Sequence, residues 1–294
     1  MLLHMIVYRS GTIAWMVVRA MVRKFNKDDG LFLASGLAFS LLLYLIPLAL
    51  IMISVLGYTV LESKQAMEEV QSVIRQFFPR SEQTFVENVA AIGADRGLLG
   101  FVGFFSFLLL STMVFGSTRH VLNTVFQAGP GRSLLRGTAH DLLMMVFCVV
   151  LLFVMTSITS VTAVMGNLGE IVPWAAPWWG GQGIRMFHWV GWVILGGSLT
   201  LGLYRLSPVK TLKLSSLVVG AGVAVALFGL AKQGFSWYVQ FAQASIPLYG
   251  ALGAFLFFFL WLYYASLVFV LGAEAGWVFE HRGTLEPKAS ESAS

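Results

Sequence analysis

The chain has 294 residues, of which 57% are hydrophobic and only 11% are charged. Soluble globular domains carry about 25% charged residues, so this composition excludes that class and indicates an integral membrane protein. The formal net charge is +5, and the presence of one cysteine excludes an intrachain disulfide.

Residues 1–32 form an N-terminal segment ahead of the first long apolar run. Within it, residues 12–25 place apolar side chains on one helical face and three cations on another, namely Arg19, Arg23 and Lys24. This pattern is typical of an interfacial amphipathic helix whose cations face anionic lipid headgroups. We therefore expect a helix lying on the cytoplasmic membrane surface.

Crossing a bilayer takes about 20 mostly apolar helical residues. Residues 33–275 contain six such segments and are predicted to form an all-α membrane domain, because a backbone in lipid must satisfy its own hydrogen bonds. The spans are expected at about 33–58, 98–118, 141–165, 186–204, 214–233 and 250–273. A polar cytoplasmic tail should follow at 276–294.

The first span carries a proline in its middle and a row of small and polar groups beside it. At about 100° per residue, four of these residues share one face: Gly36, Ser40, Tyr44 and Pro47. Proline removes its own N–H and crowds a carbonyl of the preceding turn, which in lipid needs another partner. The stripe is expected to face protein or a hydrated cavity. Two interpretations stay open: a kinked helix packed through small residues, or a kink that lines a translocation path.

Residues 60–97 form the longest loop on the outer side. Apolar residues recur there at helical spacing on both sides of Pro79, which predicts a short amphipathic helical hairpin. It could act as a solvated cap, or in gating or docking.

The third span carries a second polar face, which includes Thr156 and Ser160. Such hydroxyls commonly bond between membrane helices, so they serve either as packing contacts or as part of a path. Small residues in the fifth span, Ser216, Gly220 and Ala224, favour close helix approach.

Charged residues gather at the ends of the spans. The candidates are Arg119 and His120 after span two, Asp141 before span three, Arg205 after span four, Lys232 in span five and Glu274 after span six. All but Lys232 are expected to meet as a polar cluster at the cytoplasmic mouth, with Arg119 and Asp141 as a plausible ion pair. Lys232 would lie at the outer mouth, where it could contact a phosphate. The alternative is that each charge snorkels to the interface.

Lys and Arg counts in the loops set the expected orientation. Of the 19 such residues, 13 fall on the side that holds both termini and 6 on the other. Both termini are therefore predicted to be cytoplasmic.

Four segments resemble the signature of the YihY/BrkB family of bacterial inner-membrane proteins. They are ASGLAFSLLLYLIPLALIMISVLG in the first span, LYRLSP at 203–208, AKQGFSWYV at 231–239 and LYGALGAFLFFFLWLYYASLVFVLGAE at 248–274. The resemblance covers roughly residues 15–280. It implies a six-span fold in the bacterial inner membrane, and suggested roles of members include export of lipids or lipopolysaccharide precursors. Ser40 stands where an aromatic often follows the Ala-Phe pair of that family.

Some members of that family have also carried the label ribonuclease BN. A metal-dependent nuclease needs clustered His and carboxylate ligands, and the sequence contains no such run and no nucleotide-binding loop. We predict no catalytic residues, no metal and no cofactor, and no nucleic acid as partner.

The leading prediction is a transporter or flippase-like protein for an amphipathic, anionic lipid or lipid-linked envelope intermediate. The alternative is a non-transporting scaffold for envelope assembly, and a membrane-associated ribonuclease ranks last. Membrane lipids, further copies of the chain or envelope-assembly proteins are the expected partners.

Overall fold

The computed structural model describes residues 18–59, 96–129, 137, 139–151, 153–154, 157, 181–242 and 246–282. Every regular element in this part is a helix, which confirms the all-α class there. The helices are α1 (18–27), α2 (Gly30–Thr59), α3 (Arg96–Val125), α4 (Ala139–Leu151), α5 (Gly181–Leu206), α6 (Leu214–Ala242) and α7 (Ile246–Glu280).

Four helical segments are long and apolar enough to cross a membrane: Gly30–Ile51, Gly100–Val125, Leu214–Tyr238 and Phe255–Glu280. They correspond to the first, second, fifth and sixth predicted spans. The other two spans are not confirmed. The described length of α4 is too short for a crossing, and no spanning segment is assigned within α5 among the described residues.

Several helices are longer than the apolar runs that predicted them. Helix α3 continues to Val125, beyond the expected end at residue 118, and α7 continues to Glu280, beyond 273. An apolar run marks only the part of a helix that suits lipid, whereas the helix itself continues as long as its backbone bonds are made. The charged residues at the predicted span ends therefore lie on helices.

Some predictions fall outside the described residues. The outer hairpin at 60–97 does so except for its last two residues, which begin α3. Thr156 and Ser160 in the third span, and the tail from residue 283, also lie outside the described part.

The chain forms two compact units. Unit 1 comprises Met1–Ala38 and Phe115–Ser294, and unit 2 comprises Phe39–Val114. In unit 2, α2 packs on α3 through Tyr44 and Phe107, whose ring centroids lie 4.9 Å apart. A Cβ on Gly103 of α3 would stand 3.1 Å from the Cβ of Leu50, so the two helices approach closely there.

In unit 1, α6 packs between α5 and α7. A Cβ on Gly220 would stand 2.7 Å from the carbonyl oxygen of Gly272, and one on Gly276 would stand 2.9 Å from that of Ser216. The backbones of α6 and α7 therefore touch, which confirms the close approach predicted from the small residues of the fifth span.

A tight turn joins α1 to α2. Asp29 adopts a left-handed conformation with φ of 53°, and its carbonyl oxygen accepts the N–H of Leu33 in the first turn of α2. The ring of Phe25 lies where a Cβ on Gly30 would be, only 2.3 Å away. The absence of a side chain at Gly30 thus allows α1 to fold back beside the start of α2.

Candidate functional site

Lys24, Asp28 and Glu274 form a group of charges in unit 1 that we call the buried triad. Their side chains are 7%, 9% and 0% exposed. The ammonium of Lys24 is in contact with the Asp28 carboxylate one turn away, and its Nζ lies 2.9 Å from Oε2 of Glu274 on α7. Buried charges are costly unless they are paired, so this pairing fixes the position of α1 against α7.

Two further contacts enclose the same ammonium. Lys24 Nζ donates a hydrogen bond of 2.8 Å to the carbonyl oxygen of Val125 at the end of α3, and it lies 4.5 Å from the ring centroid of Trp277. In contrast, Oε1 of Glu274 has no hydrogen-bond partner within the described part of the chain. The triad holds two carboxyl groups for one cation and joins three helices.

This arrangement corrects two expectations. Lys24 does not face lipid headgroups as predicted for the N-terminal segment, although Arg19 and Arg23 are exposed. Glu274 pairs with Lys24, which the proposed cytoplasmic cluster did not include. The i, i+4 spacing of Lys24 and Asp28 was the available signal, because such residues are neighbours on a helix.

The expected ion pair between Arg119 and Asp141 is present. Nη1 of Arg119 donates a 2.6 Å hydrogen bond to Oδ1 of Asp141, which joins α3 to α4. The guanidinium also lies 3.0 Å from the point where a Cβ on Gly137 would stand. Gly137, ahead of α4, therefore stands next to the guanidinium of this pair.

The other predicted mouth residues do not join these pairs. His120 and Arg205 are exposed, and the described residues provide no ion pair for either. In place of the expected single cluster there are two ion-pair sites, and the exposed residues His120 and Arg205 belong to neither. Sequence position gave the helix end but not the direction of each side chain, since neighbouring helical residues point about 100° apart.

Tyr204, which the sequence analysis did not single out, joins the end of α5 to α7 and to the residue that follows α3. It is fully buried, and its hydroxyl donates a 2.6 Å hydrogen bond to the carbonyl oxygen of Phe269 on α7. Its ring packs edge-on against Phe126 beyond α3, with centroids 6.1 Å apart. Tyr204 lies within the LYRLSP segment, whose resemblance to a family was the signal available.

The loop after Tyr204 is held at the same end of unit 1. The N–H of Val209 donates to Oδ1 of Asn123, and that of Lys213 donates to Oε2 of Glu280, each at 2.8 Å. The ends of α3, α5 and α7 and the start of α6 therefore meet there. We call this region, together with the triad, the charged end of unit 1.

The predicted stripe on α2 is only partly on one buried face. Ser40 and Pro47 are buried, and Tyr44 is half-buried against Phe107. Gly36 is exposed, because the buried face at the start of α2 consists of other residues, namely Leu33, Ala34, Leu37 and Ala38. That face lies roughly 130° around the helix from Gly36 at 100° per residue. The prediction of a continuous buried stripe is therefore wrong for Gly36, its first residue.

Among the described residues of unit 1 there are two cavities that the α2 stripe does not line. The first, which we call the apolar chamber, has a volume of about 290 Å³. Its walls come from α5, α6 and α7 together with Leu151 of α4, and include Trp192, Leu199, Leu203, Val225, Phe228 and Phe269. The second is a groove of about 610 Å³ between α5 and α6 that shares Trp192 and Val225 with the chamber.

Lys232 is exposed on α6, and its Nζ lies 5.9 Å from the ring centroid of Trp192. The one cation in the apolar sequence of α6 therefore stands beside a residue that lines both cavities. The described residues contain no group of three or more His, Cys, Asp or Glu side chains placed to hold a metal ion.

The model of the family described as Virulence factor BrkB matches residues 21–294. This chain belongs to the BrkB family. The matched range includes every residue of the buried triad, the Arg119–Asp141 pair and the apolar chamber.

Relatives of this BrkB-family chain are named as UPF0761 membrane proteins. The chain is 28% identical to one from Photobacterium profundum, covering 84% of this chain and 76% of the relative. It is 29% identical to one from Vibrio vulnificus, covering 87% and 80%, and 22% identical to one from Haemophilus influenzae, covering 86% and 90%. No solved structure shows a significant match. The chain is thus a membrane protein whose chemistry must be argued from its own residues.

Proposed function

We propose that this BrkB-family chain is a bacterial inner-membrane carrier, transporter- or flippase-like, for an amphipathic anionic lipid or lipid-linked envelope intermediate. The observation that carries the proposal is the apolar chamber between α5, α6 and α7. Its volume of about 290 Å³ lies near the lower bound of small-ligand pockets, about 300 Å³. About 150 Å³ of apolar cavity already suffices to hold benzene.

The chamber suits hydrocarbon and offers little to a polar solute. The described lining residues include one hydroxyl, that of Thr200 on α5. It donates a 2.8 Å hydrogen bond back to the carbonyl oxygen of Gly196. A polar group buried there without a partner would cost about 1–3 kcal/mol by protein mutational data. The ligand part that enters should therefore be an acyl or isoprenoid chain.

In this proposal both termini are cytoplasmic, so the charged end of unit 1 faces the cytoplasm. The headgroup path stays as predicted from the sequence, along Ser40 and Tyr44 and along Thr156 and Ser160. Any work against a gradient would come from an ion gradient or a partner protein, because the sequence contains no nucleotide-binding loop.

A non-transporting scaffold is the second candidate, and the seam between α6 and α7 favours it. Gly220 and Gly272 bring two backbones into contact, and the buried triad ties α1 to the same bundle. Both features oppose separation of these helices. We do not propose nuclease activity.

Reconstitution into liposomes tests the carrier. Fluorescently labelled anionic and zwitterionic lipids are placed in one leaflet, and their transfer is followed with a membrane-impermeant quencher. Protein-containing vesicles should exchange the anionic lipid faster than empty vesicles. Equal rates for both lipid types in both kinds of vesicle would remove the proposal.

A matched pair of variants connects transport to the chamber. Gly196 lines the chamber, whereas Gly191 of the same helix does not, and a Cβ on either would meet nothing described within 4 Å. Gly196→Leu should stop transfer by filling the chamber, and Gly191→Leu should leave it unchanged. If the protein is instead a scaffold, Gly196→Leu should retain its function in cells, and deletion of residues 62–95 should abolish that function.

A further inference from the structure

The apolar chamber changes character along its length. Towards Lys232 its wall is aromatic, because the ring centroids of Trp192 and Phe228 lie 5.9 Å apart. The ring of Trp261, which is not part of the wall, lies 5.3 Å from that of Phe228. Further along, α5 contributes the aliphatic side chains of Leu195, Leu199 and Leu203, and the ring of Phe269 on α7 also lines the wall. From Trp192 to Leu203 the helix rises about 16 Å at 1.5 Å per residue. The chamber is therefore elongated, with an aromatic end beside Lys232 and a mostly aliphatic opposite end.

The cation stands at the aromatic end. Lys232 is exposed and lies over Trp192, whose ring forms part of the chamber wall. Phe235 and Trp261, with centroids 4.9 Å apart, extend the aromatic surface beside it. Tryptophan and lysine together are typical of the level of lipid headgroups, where a ring lies in the interface and an ammonium reaches the phosphate.

We propose that the chamber holds one acyl chain of an anionic phospholipid from the surrounding membrane, with its phosphate against the ammonium of Lys232. The inference rests on the proposed function and names the lipid class that it would act on. Charge complementarity decides the headgroup, because a lysine attracts anionic lipid by about 1 kcal/mol, or roughly fivefold in affinity. The wall favours an acyl chain, because its side chains are apolar except for the hydroxyl of Thr200, which is bonded to the carbonyl oxygen of Gly196.

Lipid retention on the purified full-length protein tests the inference. The protein is delipidated in a mild non-ionic detergent and titrated with phosphatidylglycerol or with phosphatidylcholine that has the same acyl chains. Bound lipid is counted by native mass spectrometry. We expect phosphatidylglycerol to bind about fivefold more tightly than phosphatidylcholine.

Two variants assign the two parts of the site. Lys232→Ala should lower phosphatidylglycerol affinity to that of phosphatidylcholine, whereas Lys210→Ala, at an exposed lysine ahead of α6, should not. Gly196→Leu should abolish tight binding of both lipids, whereas Gly191→Leu should retain it. Circular dichroism melting of each variant separates loss of binding from loss of folding.

Equal binding of the two lipids to the unaltered protein would overturn the inference, and so would full retention of phosphatidylglycerol by Lys232→Ala. In the latter case Lys232 merely extends to the interface. Lipid bound as expected, together with no transfer in the liposome assay, would remove the carrier while leaving the binding site in place. The two failures are therefore distinguishable.

Discussion

The charged end of unit 1 and the apolar chamber differ in how completely they are packed. At the charged end, the ammonium of Lys24 is enclosed by two carboxylates, a carbonyl and a ring. In the chamber, about 290 Å³ remains among apolar walls. Three of the charged residues that drew attention in the sequence, Arg119, Asp141 and Glu274, thus serve to hold helices together. The space that could take a ligand lies where the sequence shows mainly leucine, valine and aromatic residues.

Removing the cation of the buried triad should give the largest effect. Lys24→Ala would leave Asp28 and Glu274 buried without their shared partner, and breaking a buried pair in this way typically costs about 3–5 kcal/mol. Unfolding by SDS titration in mixed micelles measures the loss. Lys27→Ala, at an exposed neighbour on the same helix, should stay within about 0.5 kcal/mol. A small effect of Lys24→Ala would mean that the charged end is not what holds α1.

The same substitution should have opposite effects at the seam and in the chamber. Gly220→Ala would push a methyl group against the carbonyl oxygen of Gly272, and overpacking of this kind costs about 1–3 kcal/mol. Gly196→Ala points a methyl group into open space and should stabilise α5 by about 0.5–1 kcal/mol. The unfolding free energies of the two variants are compared directly. If both substitutions changed the free energy of unfolding in the same direction, the proposed difference in packing would be contradicted.

The Arg119–Asp141 pair should show measurable coupling. Residues that share one ion pair typically couple by about 0.5–3 kcal/mol, and this pair should lie in the lower half because the Arg119 side chain is 22% exposed. The measurement is a double-mutant cycle of Arg119→Met and Asp141→Asn. Additive effects would show that the two side chains do not interact in the membrane.

Loss of the Tyr204 hydroxyl should give the smallest effect. Tyr204→Phe keeps the ring contacts but removes the hydrogen bond to the carbonyl oxygen of Phe269, which is worth about 0.5–1.5 kcal/mol. The control is Tyr264→Phe, because Tyr264 is 44% exposed and should tolerate the change. If both variants behave alike, the hydrogen bond adds nothing to the packing of the charged end.

Whether a contact can be predicted from the sequence depends on how close its residues are along the chain. The Arg119–Asp141 pair was predictable because both residues border the same predicted inner loop, which limits how far apart they can be. The Lys24–Glu274 pair joins residues at opposite ends of the chain, and no local pattern connects them. Gly36 was placed wrongly because helical periodicity shows which residues share a face, but not which face is covered by other helices at each turn.

The amino-acid sequence by itself determined the membrane class, the all-α character, the family and four spans. These follow from long apolar runs, because lipid admits only a backbone that satisfies its own hydrogen bonds. Only the tertiary structure decided which charges are buried, which glycines bring α6 against α7, and where space remains. Each of these depends on contacts between distant segments, since burial and free volume belong to the packed bundle and not to any one helix.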